Sequence, residues 1–211
     1  MKTQRHLRIL LNLEITGSAG LLFWWILFPV LLPVTNASQG FQDLVLDSRW
    51  IIVNLLGLFS GLFLCLGLPG IFLAHYCNFK LYGFWGLLLA CTGIILFTAI
   101  QYYETLIWPA AAKINPELLY SGGALVSGNS AVLAGLLISG FILGAGYVLF
   151  GIAALKTGKY LKTAIWMLMA GVVIFGNGII FAVRTIGLIL FTSGTIWLSF
   201  HIRKNLHGQT C

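Results

Sequence analysis

Positions 50–76 read WIIVNLLGLFSGLFLCLGLPGIFLAHY, 27 residues without a single Asp, Glu, Lys or Arg. A helix of that length is about 40 Å long, more than the roughly 30 Å hydrocarbon core of a bilayer. The stretch therefore reads as a transmembrane helix, and five further apolar stretches read as spans, at about 9–34, 84–108, 131–154, 161–183 and 186–202, the last a short one of about 17 residues. The expected fold is an all-α integral membrane bundle of six transmembrane helices, forming one domain over residues 1–211.

Composition leads to the same class. Hydrophobic residues make up 59% of the chain and charged residues 8%. So little polar surface cannot cover a soluble core, whereas lipid solvates apolar surface directly. The formal charge of +7 does not point to nucleic acid, because each basic cluster is short and abuts an apolar segment. Anchoring to anionic lipid headgroups is the expectation. Lys2, Arg5, Arg8, Lys80, Lys156, Lys159, Lys162, Arg203 and Lys204 fall on one side of the six spans, and Arg49, Lys113 and Arg184 on the other. That asymmetry places both termini in the cytoplasm. The basic start followed by a long apolar run reads as a retained signal anchor.

Two spans carry boundary questions. Pro69 removes a backbone donor inside the second span, so a kink is expected there. Pro109, at the end of the third, either sits in an interfacial turn or bends a continuing helix. The last two spans share residues 161–202. Their turn falls either at Arg184-Thr185, as in the boundaries above, or at the turn-favouring dipeptide Asn177-Gly178.

The cysteines, Cys65, Cys77, Cys91 and Cys211, have neither a C-x-x-C pair nor zinc spacing, and free thiols are expected. Asn36-Ala37-Ser38 forms a glycosylation sequon in the first external loop. Asp43 and Asp47, four apart, suit one face of a short solvated loop helix. Small residues four apart, Gly57 with Gly61, Gly135 with Ser139 and Gly140 with Gly144, suit close helix packing. The run Ser60-Gly61-x-x-Leu64-x-x-Gly67 is echoed by Ser139-Gly140-x-x-Leu143-x-x-Gly146, as a repeated helical hairpin or a chance match would produce.

Functional candidates are the polar residues that interrupt this pattern. Gln101, Glu104 and Trp108 are three and four apart, so they share a helix face near the outer interface. Asn54, Asn177 and Arg184 fall at the same depth. Together Asn54, Gln101, Glu104, Trp108, Asn177 and Arg184 are expected to line an outer-facing polar recess, with Glu104 and Arg184 able to neutralise one another. Such a recess suits binding or transport of a small polar, zwitterionic or lipid-headgroup ligand. A bland alternative makes Glu104 an interfacial residue beside an aromatic anchor.

His6, His75, His201 and His207 all fall on the inner side. His75 and His201, from different helices, could ligate a haem iron or metal, although no cofactor is the default. Glu14, about one turn inside the first span, is expected to form an ion pair at the inner interface with Arg8, His6 or Lys80. The acidic residues Glu14, Asp43, Asp47, Glu104 and Glu117 are scattered, which argues against an enzyme.

The run Gly67-Leu68-Pro69-Gly70 with His75, and then Tyr103-Glu104-Thr105-Leu106-Ile107-Trp108-Pro109, resembles a pattern of uncharacterised bacterial multi-pass membrane proteins carrying a Tyr-Glu-Thr-x-Ile-Trp-Pro segment. The resemblance covers the second and third helices. It implies a bacterial plasma-membrane location and no particular activity. Two other functional classes stay open: a structural or accessory subunit packing on a partner membrane protein or a second copy through its glycine faces, and a haem-binding redox protein using His75 and His201.

Overall fold

The computed structural model describes residues 2–32, 41–119, 123–125, 128–177 and 181–206. The sequon at Asn36, His207, Cys211 and the side chain of Asn177 lie outside the described residues.

Among the described residues every regular element is helical. Helix α1 spans Lys2–Leu31, α2 Phe41–Leu46, α3 Ser48–Ala74, α4 Leu81–Tyr102, α5 Trp108–Ile114, α6 Ser130–Thr157, α7 Lys162–Asn177 and α8 Phe181–Asn205. Local chemistry fixes several ends. The Asp47 carboxylate accepts the Arg49 backbone N–H at 2.8 Å and starts α3. The Asn129 side chain accepts from Ala131 N at 2.9 Å and starts α6. Gly158, at φ 67°, ends α6 in the left-handed conformation that glycine adopts without strain. At the other end of α3, the Tyr160 hydroxyl donates to Ile71 O at 2.7 Å, one of the carbonyls a helix C-terminus leaves unpaired.

Among the described residues five helical segments are long and apolar enough to cross a membrane: Gln4–Leu31, Ser48–Ala74, Leu81–Ile114, Ser130–Thr157 and Phe181–Asn205. Helix α7, with 16 residues, is about 24 Å long and shorter than a hydrocarbon core. Helix α7 is described to Asn177 and α8 from Phe181, and Gly187 already packs back on the backbone of Phe175, so the chain reverses before Arg184. The spans at 161–183 and 186–202 are corrected accordingly, and Arg184 lies in the first turn of α8. Pro69 is accommodated inside a continuous α3. Pro109 lies within the continuing third segment, which reaches Ile114 through a π-helical turn at Tyr103–Ile107.

The six long helices form a closed ring. The most extensive packing joins α1 to α3, α4 to α6 and α7 to α8, and smaller interfaces of similar extent join α3 to α4, α6 to α7 and α8 to α1. The three tight pairs are helical hairpins, and they share one glycine register. A Cβ on Gly17 would meet the backbone of Leu64, on Gly93 that of Leu143 and on Gly171 that of Phe191. Reciprocally, Gly67 lies on the backbone of Glu14, Gly146 on Ala90 and Gly194 on Leu168. In every hairpin the second residue of each contact is three positions from the first on both helices. The echo between α3 and α6 thus has a spatial counterpart, and α7 and α8 form a third copy. Sequence did not show that copy because Phe191 replaces the leucine and Gly187 the serine.

The apolar side chains that point away from this ring, such as Ile52, Leu81, Phe141 and Trp166, are exposed. In a bilayer that surface faces lipid.

Cys77, expected as a free thiol, is disulfide-bonded. It is exposed in the turn Tyr76–Asn78, outside the helix packing, where a second thiol can reach it. Cys65 and Cys91 are free.

Candidate functional site

The end of the bundle expected to face outward gathers five of the six residues expected to line a recess, and the π turn is what shapes it. Inside that turn Trp108 N donates to Tyr103 O, an i→i−5 bond. The next bond in this register would run from residue 109 to Glu104 O, but Pro109 has no N–H. The freed carbonyl accepts instead from the indole of Trp50, Nε1 to Glu104 O 3.0 Å. Trp50, 1% exposed in the first turn of α3, stacks on Trp108 with ring centroids 6.0 Å apart.

Gln101 and Glu104 do share a face: Gln101 Nε2 donates to Glu104 Oε2 at 3.3 Å. The other amide atom, Gln101 Oε1, is buried without a partner and lies where a Cβ on Gly57 would meet it. Asn54 is fully buried; its Nδ2 donates to Trp50 O at 3.0 Å and its Oδ1 has no partner. Trp24 Nε1 is likewise buried and unpartnered.

Arg184 approaches from the opposite side. Its Nε donates to Phe175 O at 3.3 Å, a carbonyl in the last turn of α7, where the helix dipole favours a cation. Its guanidinium lies 5.4 Å from the Trp25 ring centroid and 5.3 Å from that of Phe175, cation–π distances. Trp25 also stacks on Phe181 at 4.8 Å and donates from Nε1 to Thr185 Oγ1 at 2.8 Å. These contacts fix α1 to the start of α8.

Glu104 and Arg184 interact electrostatically, yet among the described residues no ion pair joins them. The pair within 4.0 Å is Arg49–Asp47. From Trp108 to Trp25, the ring that Arg184 lies against, aromatic side chains are in edge or stacked contact: Trp108 on Trp50, Trp50 on Phe28, Phe28 on Trp24 and Trp24 on Trp25. Phe97 bridges Trp24 to Phe175 as a second connection. Sequence reasoning missed Trp24, Trp25, Phe97 and Phe175 as site residues. The run Phe23-Trp24-Trp25 was visible, but its meaning depends on rings contributed by α4 and α7.

At the opposite end of the bundle, His75 is 7% exposed and edge-on to Tyr160 at 4.8 Å. Burial, then the charges of Lys159 and His201, holds its imidazole below the usual histidine range. His201 pairs with Asn205 Nδ2 at 3.2 Å. Among the described residues no group of three or more His, Cys, Asp and Glu is placed to hold a metal ion.

Glu14 overturns its expectation. It is 0% exposed and both carboxyl oxygens lack partners, so it makes no ion pair with Arg8, His6 or Lys80. The reason is the face it occupies: Glu14 packs against Gly67 of α3 inside the bundle.

Compared with protein-family models, curated proteins and solved structures, the chain matches none.

Proposed function

We propose that this is a six-helix bacterial inner-membrane protein, with both termini cytoplasmic, that binds or transports a small zwitterion or lipid headgroup in the outer recess between Glu104 and Arg184. The single observation that carries the proposal is the separation of these two charges. Each is partly buried, each feels the other, and no ion pair closes the gap. A ligand bearing both charges would complete two ion pairs at once. The unpartnered Asn54 Oδ1, Gln101 Oε1 and Trp24 Nε1 supply further hydrogen-bonding capacity, and the aromatic wall suits an alkylammonium group.

The test is thermal unfolding of the protein in nanodiscs against a panel of amino acids, betaines, phosphoethanolamine and phosphocholine. At least one compound should stabilise the wild type, and the gain should vanish in Glu104→Gln and Arg184→Gln. If no compound acts, or both variants respond as the wild type does, the proposal fails. Orientation has its own test, because Cys77 is disulfide-bonded on the side assigned to the reducing cytoplasm. An impermeant thiol reagent applied to intact cells after mild reduction should leave Cys77 unlabelled.

One observation supports the accessory-subunit alternative. From Ala131 to Ile138 every residue of α6 except Val132 is exposed. The neighbouring α7 is shorter, and Gly140 meets Gly176 close to its end, so the outer turns of α6 extend beyond it. A partner transmembrane helix or a second copy would cover them. Cysteine crosslinking at Leu137 in native membranes tests this: a specific adduct supports it and labelling by lipid-phase probes alone opposes it.

A further inference from the structure

The second carboxyl inside the bundle has no role in the outer recess. Glu14 is fully buried on the closest α1–α3 contact, where Gly67 carries no side chain that could share the space. Its level is set by α3: Gly67 lies seven residues, about 10 Å, from the inner end of that helix. The titratable groups facing it are Cys65 on α3, Cys91 on α4 and Tyr147 on α6. Helix α8 presents the ring of Phe191 to Tyr147, at 5.1 Å, and its cation Arg203 is taken up by Asn12 Oδ1 at 2.9 Å on the exposed side of α1. The Cys65 and Cys91 thiols pair with one another. Tyr147 is 0% exposed and its hydroxyl has no partner, and the same holds for the hydroxyl of Ser18, one turn beyond Glu14 on the same face. Among the described residues an ionised carboxylate here would have no cation beside it, and no donor is hydrogen-bonded to it to replace its hydration.

A line of buried polar groups leads outward from this point. Ser60 lies against Gly17 and Gly20 of α1, Thr98 against Gly61 of α3, and Gln101 against Gly57. Ser60 and Thr98 donate to carbonyls of their own helices, Ser60 Oγ to Leu56 O at 2.6 Å and Thr98 Oγ1 to Ile94 O at 2.8 Å. Their lone pairs remain available to accept. The line ends at the Gln101–Glu104 hydrogen bond. The small residues Gly57 and Gly61 thus admit polar side chains from α4 at successive levels of α3, between the level of Gly67 and Glu14 and that of Gln101.

We propose that Glu14 is a proton-binding site within the bundle, occupied as the neutral acid, that exchanges its proton with the outer recess along the seam Ser18, Ser60, Thr98 and Gln101. At Ser18, Ser60 and Thr98 the hydroxyl takes up the incoming proton and releases its own; at Gln101 the amide Oε1 takes up a proton as Nε2 releases one to the Glu104 carboxylate, and the reverse transfer restores the amide from the imidic acid, so only the two carboxyls change charge. The proposal does not rest on ligand binding at Glu104 and Arg184, and it stands if that reading fails.

Infrared spectroscopy of the protein in nanodiscs tests it. The wild type should show the C=O stretch of a protonated carboxyl, lost in Glu14→Gln and kept in Glu104→Gln. Transfer to D2O should shift the band, and Thr98→Val should slow that shift at least tenfold. Should Glu14→Gln fail to fold, the wild type treated with an apolar carbodiimide should carry the adduct on Glu14 in peptide mapping. A missing band, a band indifferent to D2O, equal exchange rates in Thr98→Val, or no adduct on Glu14 overturns the proposal.

Discussion

The indole of Trp50 donates to the backbone carbonyl of Glu104, 3.0 Å away on the neighbouring helix, and this bond replaces one that Pro109 cannot make. Trp50→Phe should therefore leave a buried carbonyl without a donor and cost about 1–3 kcal/mol. The cost should shrink in a Pro109→Ala background, where residue 109 regains its N–H. Unfolding in mixed detergent micelles measures both, and equal costs in the two backgrounds would show that the carbonyl does not link them.

The hairpin glycines should divide sharply by position. Gly17 has Leu64 N 2.7 Å from where its Cβ would stand, and Gly194 has Leu168 N at the same distance. Alanine there must push backbones apart, at about 1–3 kcal/mol each. Gly135 has nothing within 4 Å, so Gly135→Ala should gain up to about 1 kcal/mol from helix propensity. Thermal melts of the three single variants measure the contrast.

Much of this was legible in sequence. Hydrophobic runs gave helices, and the three-residue spacing of Gln101 and Glu104 gave a true side-chain contact. Other features depended on what lies across an interface. The burial of Glu14 without an ion pair depends on Gly67 of α3, which sequence spacing does not place against it. The turn between α7 and α8 was left open because Gly178 and Arg184 are both compatible with a turn. The aromatic wall has no one-dimensional signature, since its rings come from α1, α3, α4, α5 and α7.

Stability should fall as pH drops below neutrality through His75. Its imidazole titrates below the usual value when folded, so the unfolded chain binds the proton first, at a pKa of about 6.5. The contribution of the neutral ring is complete above that pH and is lost as pH falls through the lower folded value. Melts of the wild type between pH 8 and 5 should show the decline, and His75→Asn should flatten it.

Asp47 acts lower in the range. Its hydrogen bonds to Arg49 hold the carboxyl down to about 2, so capping of α3 is intact above about pH 4 and is lost as pH falls towards 2. Asp47→Ala should lower the melting temperature at pH 7 and remove this acid-side step, whereas Asp47→Asn should keep part of the cap.

The central claim is that Glu104 and Arg184 are held apart to receive a group carrying both charges. Its most direct measurement is an experimental map of the outer recess from protein kept in native lipid throughout. The account predicts density for a non-protein group in contact with both side chains. A direct Glu104–Arg184 ion pair, or rings closing the space between them, would contradict it.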